Sequence, residues 1–208
     1  TIAVGQAGEK AVGLPERAIG TLAALKKLAG EASGTQYAVA DDMEGVPIPG
    51  LAFTHDGKPG LQTGGQALNG QSAVEVNYTL EAGSSLPADS SARWTGSLNI
   101  AEAGNYRLHL QVLGCYATLK IDDRIIARNG LMWIHGDITQ AAQDNVLPTI
   151  DGLDNLRAAV QLAAGMHRIS VAVTPDSSHA PVQVRLNWVT PHQQAANYAA
   201  AIEAARHA

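Results

Sequence analysis

The chain has little cysteine, few aromatic residues and no long apolar run. Its single cysteine, Cys115, excludes an internal disulfide. Lys and Arg are scattered along 208 residues with a formal net charge of −5, which argues against nucleic acid and against a membrane surface as partners. No apolar run approaches the ~20 residues that a membrane-spanning helix needs. The first residues lack the pattern of a signal peptide, and the missing initiator Met favours a piece cut from a longer parent.

The two ends of the chain have the pattern of an incomplete α/β domain. A short apolar strand at residues 2–4 precedes a helix that opens at Pro15 and ends at Gly30, and residues 37–40 supply a second strand. The helix carries apolar residues at helical spacing: Ala18, Ile19, Leu22, Leu25 and Leu28. A second helix follows Pro191, with a predicted buried stripe at Ala195, Tyr198, Ala199, Ile202 and Ala205. We therefore expect an α/β segment over 1–45 and a helix that resumes it over 192–208.

The middle of the chain, residues 46–191, predicts a mainly β domain. Residues 45–72 are rich in Gly and Pro and suggest a linker that runs into the domain edge. Short alternating strands follow at 72–80, 94–100, 106–112, 119–121, 125–127, 160–162, 169–173 and 182–188. Asp122 and Asp123 are placed to form a two-residue hairpin turn. This spacing is typical of an antiparallel β-sandwich or barrel, flanked here by short α/β segments.

A stretch between Arg128 and Asn155 shows no clean periodicity, and long loops of this kind often carry function. Trp133, His135 and Asp137 would offer an aromatic face for sugar C–H groups beside polar groups for sugar hydroxyls. Asp144 is the fourth candidate for substrate binding. The alternative is that Trp133 only anchors the loop on the sheet, and both interpretations stay open.

Residue patterns for catalysis or metal binding are missing. There is no Gly-x-Ser-x-Gly, no His-Glu-x-x-His and no cysteine pair, and Cys115 is better interpreted as a buried structural thiol. The Asp122–Asp123 pair could ligate calcium, but a turn is the favoured use. Paired carboxylates for glycoside hydrolysis would have to come from one loop, where solvation explains them equally well. We expect no catalytic residue, no metal and no cofactor.

Five segments in order resemble the PA-14 (protective-antigen-type) domain: ARWTGSL at 92–98, AGNYRL at 103–108, LKIDD at 119–123, LAAGMH at 162–167 and VRLNW at 184–188. This resemblance implies a β-sandwich or barrel associated with glycan binding. The calcium-binding members carry an adjacent Asp pair before the Leu-x-Ile-Asp strand. Here that position holds Gly114, Cys115 and Tyr116, which argues against calcium-dependent binding.

The flanks resemble glycoside hydrolase family 3, whose members carry such a module inserted in a C-terminal α/β sandwich domain. The resemblance implies a parent β-glucosidase or β-xylosidase with a retaining mechanism, whose catalytic carboxylates lie outside this chain. Implied partners are an oligosaccharide or glycoside substrate and the remaining domains of the parent. A periplasmic or extracellular location is then favoured.

Three functions remain at this stage. The first is an accessory module that shapes substrate choice, with the 129–155 stretch at the active-site mouth. The second is an independent carbohydrate-binding module. The third is a structural insertion for interdomain or homodimer contacts, in which Leu131, Met132, Trp133 and Ile134 would be covered.

Overall fold

A computed structural model describes residues 21–30, 37–68, 70, 72–129 and 143–206 of the chain. Contacts between residues divide the chain into two compact units, one of Thr1–Asp41 with Ala195–Ala208 and one of Asp42–Gln194. No helix in the described ranges is long and apolar enough to cross a membrane.

The N-terminal flank contains one described helix, α1 (Thr21–Ala29). Gly30 ends it in the left-handed conformation, φ 79°, and donates its N–H to the Lys26 carbonyl at 3.1 Å, as the sequence predicts. The expected strand at 2–4 and the start of the helix lie outside the described residues. The prediction of a strand at 37–40 is wrong, since these residues pair with no described strand and Tyr37 is 65% exposed.

The larger unit contains two antiparallel sheets. The six-stranded sheet comprises β1 (Val46–Pro47), β6 (Asn77–Tyr78), β8 (Gly104–Leu113), β11 (Gln143–Val146), β12 (Asp154–Leu162) and β14 (Gln183–Val189). The eight-stranded sheet comprises β2 (Phe53–His55), β3 (Lys58–Pro59), β4 (Leu61–Gly64), β5 (Ser72–Ala73), β7 (Ala92–Ile100), β9 (Cys115–Ile121), β10 (Arg124–Arg128) and β13 (Gly165–Pro175). The described strands form two open sheets and no closed barrel, which confirms a mainly β, antiparallel sandwich.

One hydrophobic core joins the two sheets. Alternating residues of β7, β8, β9, β13 and β14 point into it and are almost fully buried: Trp94, Leu98, Leu108, Leu110, Leu119, Val171 and Leu186. Burying a side chain of this size contributes about 1.5–3 kcal/mol, so these strands supply the main stabilisation. The strand alternation predicted from the sequence is confirmed for all five.

The predicted hairpin at Asp122–Asp123 is confirmed. Both residues have positive φ, 49° and 66°, and they connect β9 to β10 with Arg124 opposite Ile121. Such a two-residue turn matches the right-handed twist of the two strands. Asp residues tolerate this conformation better than most side chains because their short carboxylates make local hydrogen bonds.

Three expectations for the irregular parts of the chain are wrong. Residues 45–72 form β1–β5 rather than a linker, and Ile48, Phe53 and Leu61 enter the core. The strand expected at 72–80 is broken into β5 and β6, and the two valines expected on one face differ, since Val74 is exposed and Val76 is buried. The stretch 128–155 is not a continuous loop, since it contains β11 and the start of β12.

The C-terminal helix, α2 (Pro191–Arg206), begins one residue earlier than predicted, with Pro191 itself at its first position. Thr190 and Gln193 form a reciprocal cap: Gln193 N–H donates to Thr190 Oγ1 at 3.2 Å, and Thr190 N–H donates to Gln193 Oε1 at 2.8 Å. The predicted buried stripe is wrong. None of the helix's described residues is buried, and Tyr198 and Ile202 are 44% and 54% exposed.

Candidate functional site

The four predicted sugar-binding residues divide between described and undescribed parts of the chain. Trp133, His135 and Asp137 lie outside the described residues. Asp144 lies on β11, where the strand register places it opposite Arg157 of β12. In the same register Arg157 lies opposite His109 of β8, and His109 lies opposite Asn187 of β14. Asp144 therefore belongs to a row of polar residues that crosses the six-stranded sheet.

A polar network covers this sheet on the side away from the core. Its central side chains are at most 4% exposed: His109, Gln111, Asn155 and Asn187. They hold the backbone that enters the domain. Gln111 and Asn187 both donate to the Glu44 carbonyl, at 3.0 and 2.9 Å, and Asn155 donates to the Met43 carbonyl at 2.7 Å. Buried amides require such partners, and residues 42–45 provide them.

Arg185 fixes a second segment to the same face. Its guanidinium makes a bidentate ion pair with Asp151, at 2.9 and 3.0 Å, and its Nε donates to Gln111 Oε1 at 2.6 Å. Glu81 contacts the same guanidinium at 3.3 Å. Burial alone would raise the pKa of Asp151, but hydrogen bonds from Thr149 and Arg185 outweigh it and the pKa is lowered. The turn at residues 149–153 is therefore anchored by a charged pair at neutral pH.

Apolar side chains on and near this turn are exposed to solvent beside the network. Ile150 is 91% exposed, Leu147 58% and Met43 40%. The Ile150 N–H donates to Glu44 Oε1 at 3.0 Å, and the Leu147 carbonyl accepts from Asn155 at 3.5 Å. Exposed apolar side chains on a rigid polar base are a common feature of contact surfaces.

Two kinds of reactive centre, an activated thiol and a metal-ligand cluster, do not occur among the described residues. Burial raises the pKa of the Cys115 thiol to about 12, so it stays protonated and unreactive at neutral pH, which confirms the buried-thiol interpretation. No group of three or more His, Cys, Asp or Glu side chains in the described part could hold a metal ion. Asp122 accepts from His167 at 2.7 Å, and Asp123 pairs with Arg168. Both carboxylates of the Asp122–Asp123 pair thus connect the hairpin turn to β13.

The sequence-based predictions missed the buried polar network. His109 and Gln111 alternate with Leu108 and Leu110, a pattern that predicts a solvent-facing side for β8. The available signal was chemical: this side carries an imidazole and amides, at His109, Gln111, Asn155 and Asn187, instead of the Lys and Glu typical of a solvated face. Nothing local indicates that residues 42–45 cover them.

These observations define the class of the protein as a β-sandwich module of two antiparallel sheets. The same fold occurs in DesR, a β-glucosidase from Streptomyces venezuelae in complex with D-glucose, with a TM-score of 0.57 and 22% identity over 94% of this chain and 20% of that chain. It occurs in the β-glucosidase from Kluyveromyces marxianus in complex with glucose, with a TM-score of 0.53 and 12% identity over 88% of this chain and 23% of that chain. The GH31 α-xylosidase from Xanthomonas citri gives a TM-score of 0.50 and 16% identity over 73% of this chain and 16% of that chain.

The chain thus spans about a fifth of the length of the solved structures it matches. At these identities the likeness establishes a shared fold. No protein-family model and no curated protein sequence matches the chain.

Proposed function

We propose that the chain is a non-catalytic carbohydrate-recognition and substrate-specificity module of a glycoside hydrolase, with a retaining β-glucosidase or β-xylosidase as the parent. The observation that carries the proposal is the fold match to DesR, a β-glucosidase, over 94% of this chain and 20% of that one. The PA-14 resemblance of the β-domain and the family 3 resemblance of its flanks point the same way. The proposed domains are an α/β sandwich segment over 1–45, a PA-14-like β-domain over 46–191 and a resuming helix over 192–208.

The proposed binding residues are Trp133, His135, Asp137 and Asp144. The position of Asp144 supports this choice, because it lies in the polar row with Arg157 at the edge of the six-stranded sheet. The far end of the same stretch is held rigidly by the Arg185–Asp151 pair and the Glu44 contact to Ile150. A binding loop needs such a fixed base if its side chains are to meet a sugar in one geometry.

The first experiment addresses the parent enzyme. Residues 131–142 are replaced by a short Gly-Ser linker, which leaves β11 and the 149–153 turn in place. We expect the preference among substrates of different chain length to change while turnover of a small aryl glycoside is retained. The control replaces the β2–β3 turn, Asp56–Gly57, by Asn-Gly. An unchanged substrate order would contradict the proposal.

The second experiment addresses the chain itself. Calorimetric titration with glucose-, xylose- and galactose-based oligosaccharides is expected to show binding that Trp133→Ala weakens about two- to tenfold, since stacking on an aromatic ring supplies about 0.5–1.5 kcal/mol. Tyr37→Ala, which removes an aromatic ring that is 65% exposed on the N-terminal flank, is the matched control. A flat titration with every oligomer would contradict independent sugar binding.

A structural insertion that mediates interdomain or dimer contacts is the alternative function. The exposure of Ile150, Leu147 and Met43 beside the polar network favours it, because such side chains are usually covered in an assembly. This alternative predicts no sugar binding, an unchanged substrate order, and self-association in sedimentation experiments that Ile150→Asp abolishes.

A further inference from the structure

The eight-stranded sheet has an unusual charge distribution for an acidic chain. The chain contains 19 Asp and Glu residues against 14 Lys and Arg, yet none of the acidic residues lies in the eight strands of this sheet. The same strands carry several basic residues: Lys58, Arg93, Lys120, Arg124, Arg128 and Arg168. The strands of this sheet therefore carry basic but no acidic side chains, on a protein whose net charge is −5.

The face of this sheet that points away from the core is polar at its centre. Strand pairing places small hydroxyl residues side by side across its centre, with Ser170 opposite both Lys120 and Thr95. The next row joins Thr118, Ala172 and Arg93 in the same way. These small side chains leave the surface open to a ligand that lies across the strands.

Three larger side chains surround this centre. Tyr116 is 46% exposed at one end of β9, Lys120 is exposed at the other end, and Arg93 is exposed two strands away on β7. With strands about 4.8 Å apart and alternate residues about 6.7 Å apart, their Cα atoms form a triangle with sides of about 12–13 Å. Such a footprint exceeds one sugar ring and suits an oligosaccharide.

The triangle is held rigidly at the Tyr116 corner. Cys115 and Ala117, on either side of Tyr116, are both 2% exposed. The side chain of Asn129 accepts from the Ala117 N–H at 2.5 Å and donates to the Cys115 carbonyl at 2.9 Å. The backbone groups on either side of Tyr116 therefore already have hydrogen-bond partners, and the ring projects from a fixed strand.

Carboxylates at the margins of this face are engaged elsewhere. Asp122 bonds His167, Asp123 pairs with Arg168, and Asp176 accepts from the Ser178 N–H at 2.8 Å. Neither Arg93 nor Lys120 makes an ion pair within the described residues. Both cations thus face solvent without a neutralising partner from that part of the chain.

We propose that the Tyr116–Lys120–Arg93 face binds an acidic polysaccharide built from uronate-type sugars. Sugar carboxylates would pair with Arg93 and Lys120, a ring would stack on Tyr116, and Thr95, Thr118 and Ser170 would bond ring hydroxyls. Nucleic acid and anionic membranes fit this face less well, because both require denser positive charge. This inference goes beyond the proposed function, since it uses another sheet and an anionic rather than a neutral glycan.

The test titrates the full chain with hexagalacturonate and, in parallel, with neutral cellohexaose. We expect binding of the anionic probe that weakens with added salt. Arg93→Gln and Lys120→Gln should each weaken it roughly three- to tenfold, and Tyr116→Ala by a similar factor. Arg93→Lys with Lys120→Arg should retain most of the affinity, and Lys26→Gln with Lys27→Gln on α1 removes two charges as the matched control.

Several results would overturn the proposal. One is the absence of hexagalacturonate binding, and another is an equal loss in the Lys26/Lys27 control, which would mean that only overall charge matters. A third is binding of phosphatidylserine vesicles with the same dependence on Arg93 and Lys120, which would assign the face to a membrane. Trp133→Ala should leave hexagalacturonate binding intact, so failure here and failure of the proposed function are distinguishable.

Discussion

His109 is held as a neutral imidazole inside the polar network. Its Nδ1 lies 3.1 Å from Asn155 Oδ1, and because Asn155 Nδ2 donates to Met43, the facing oxygen accepts the Nδ1 proton. Nε2 is buried with no hydrogen-bond partner among the described residues. A second proton would thus be buried without an acceptor. Burial lowers the pKa of His109, and the nearby Arg157 and Arg107 act in the same direction, against the Asn155 bond and Asp42.

The first prediction concerns stability against pH. Because the pKa of His109 is lower in the folded than in the unfolded chain, the unfolded chain takes up this proton first as the pH falls below ~6.5. Stability should therefore fall by up to about 1.4 kcal/mol per pH unit from this residue alone. His109→Gln removes the titration while keeping a polar side chain. Urea unfolding at pH 7.5 and 5.0 should show a smaller loss for the variant than for the wild type, and equal losses would contradict the assignment.

At the scale of single elements, Gly65 shows how the end of the short strand β4 is fixed. It follows β4 with a φ of +99°, and a Cβ added there would lie 2.6 Å from the Ser91 carbonyl oxygen. The adjacent Gly64 lies on β4 opposite Arg93, and a Cβ added there meets nothing within 4 Å. The two neighbouring glycines thus have different requirements.

The second prediction uses this pair as a matched comparison. Gly65→Ala combines left-handed strain with a backbone clash and should lower the free energy of unfolding by about 2–3 kcal/mol. Gly64→Ala should change it by less than about 0.5 kcal/mol. Chemical denaturation of both variants provides the measurement. Similar losses at the two positions would show that the φ of Gly65 is not required by the fold.

Strands that can be predicted from the sequence are those with one buried face and enough length to display it. β8 alternates Tyr106, Leu108 and Leu110, and the Asp122–Asp123 turn follows directly from its residue types. β2–β4 could not be predicted, because each has two to four residues among Gly and Pro, too few for a period to appear. β2 and β4 become strands because β7 offers them an edge to pair with, and β3 pairs in turn with β2. The apolar spacing on α2 predicts a helix correctly, but spacing alone does not establish which helix face is covered.

At the scale of the whole molecule, residues 42–45 determine how much of the chain folds on its own. Among the described residues, the buried members of the hydrophobic core run from Ile48 to Leu186. Residues 42–45 are different because the buried side chains of Gln111, Asn155 and Asn187 all donate to their carbonyls. The sequence-based prediction assigns these residues to the end of the α/β segment at 1–45, whereas their hydrogen bonds assign them to the β-domain. The candidate site rests on this long-range contact, which no local pattern reveals.

The third prediction separates these two views by truncation. A chain of residues 42–206 should unfold cooperatively within a few degrees of the full chain, because its core and its polar network are complete. A chain of residues 46–206 should lose about 2–4 kcal/mol, since three buried amides lose their acceptors and water replaces them only in part. Thermal and urea unfolding of both, followed by circular dichroism, provide the comparison. Equal stability of the two truncated chains would mean that residues 42–45 only pass over the sheet, and the network would then be solvated rather than structural.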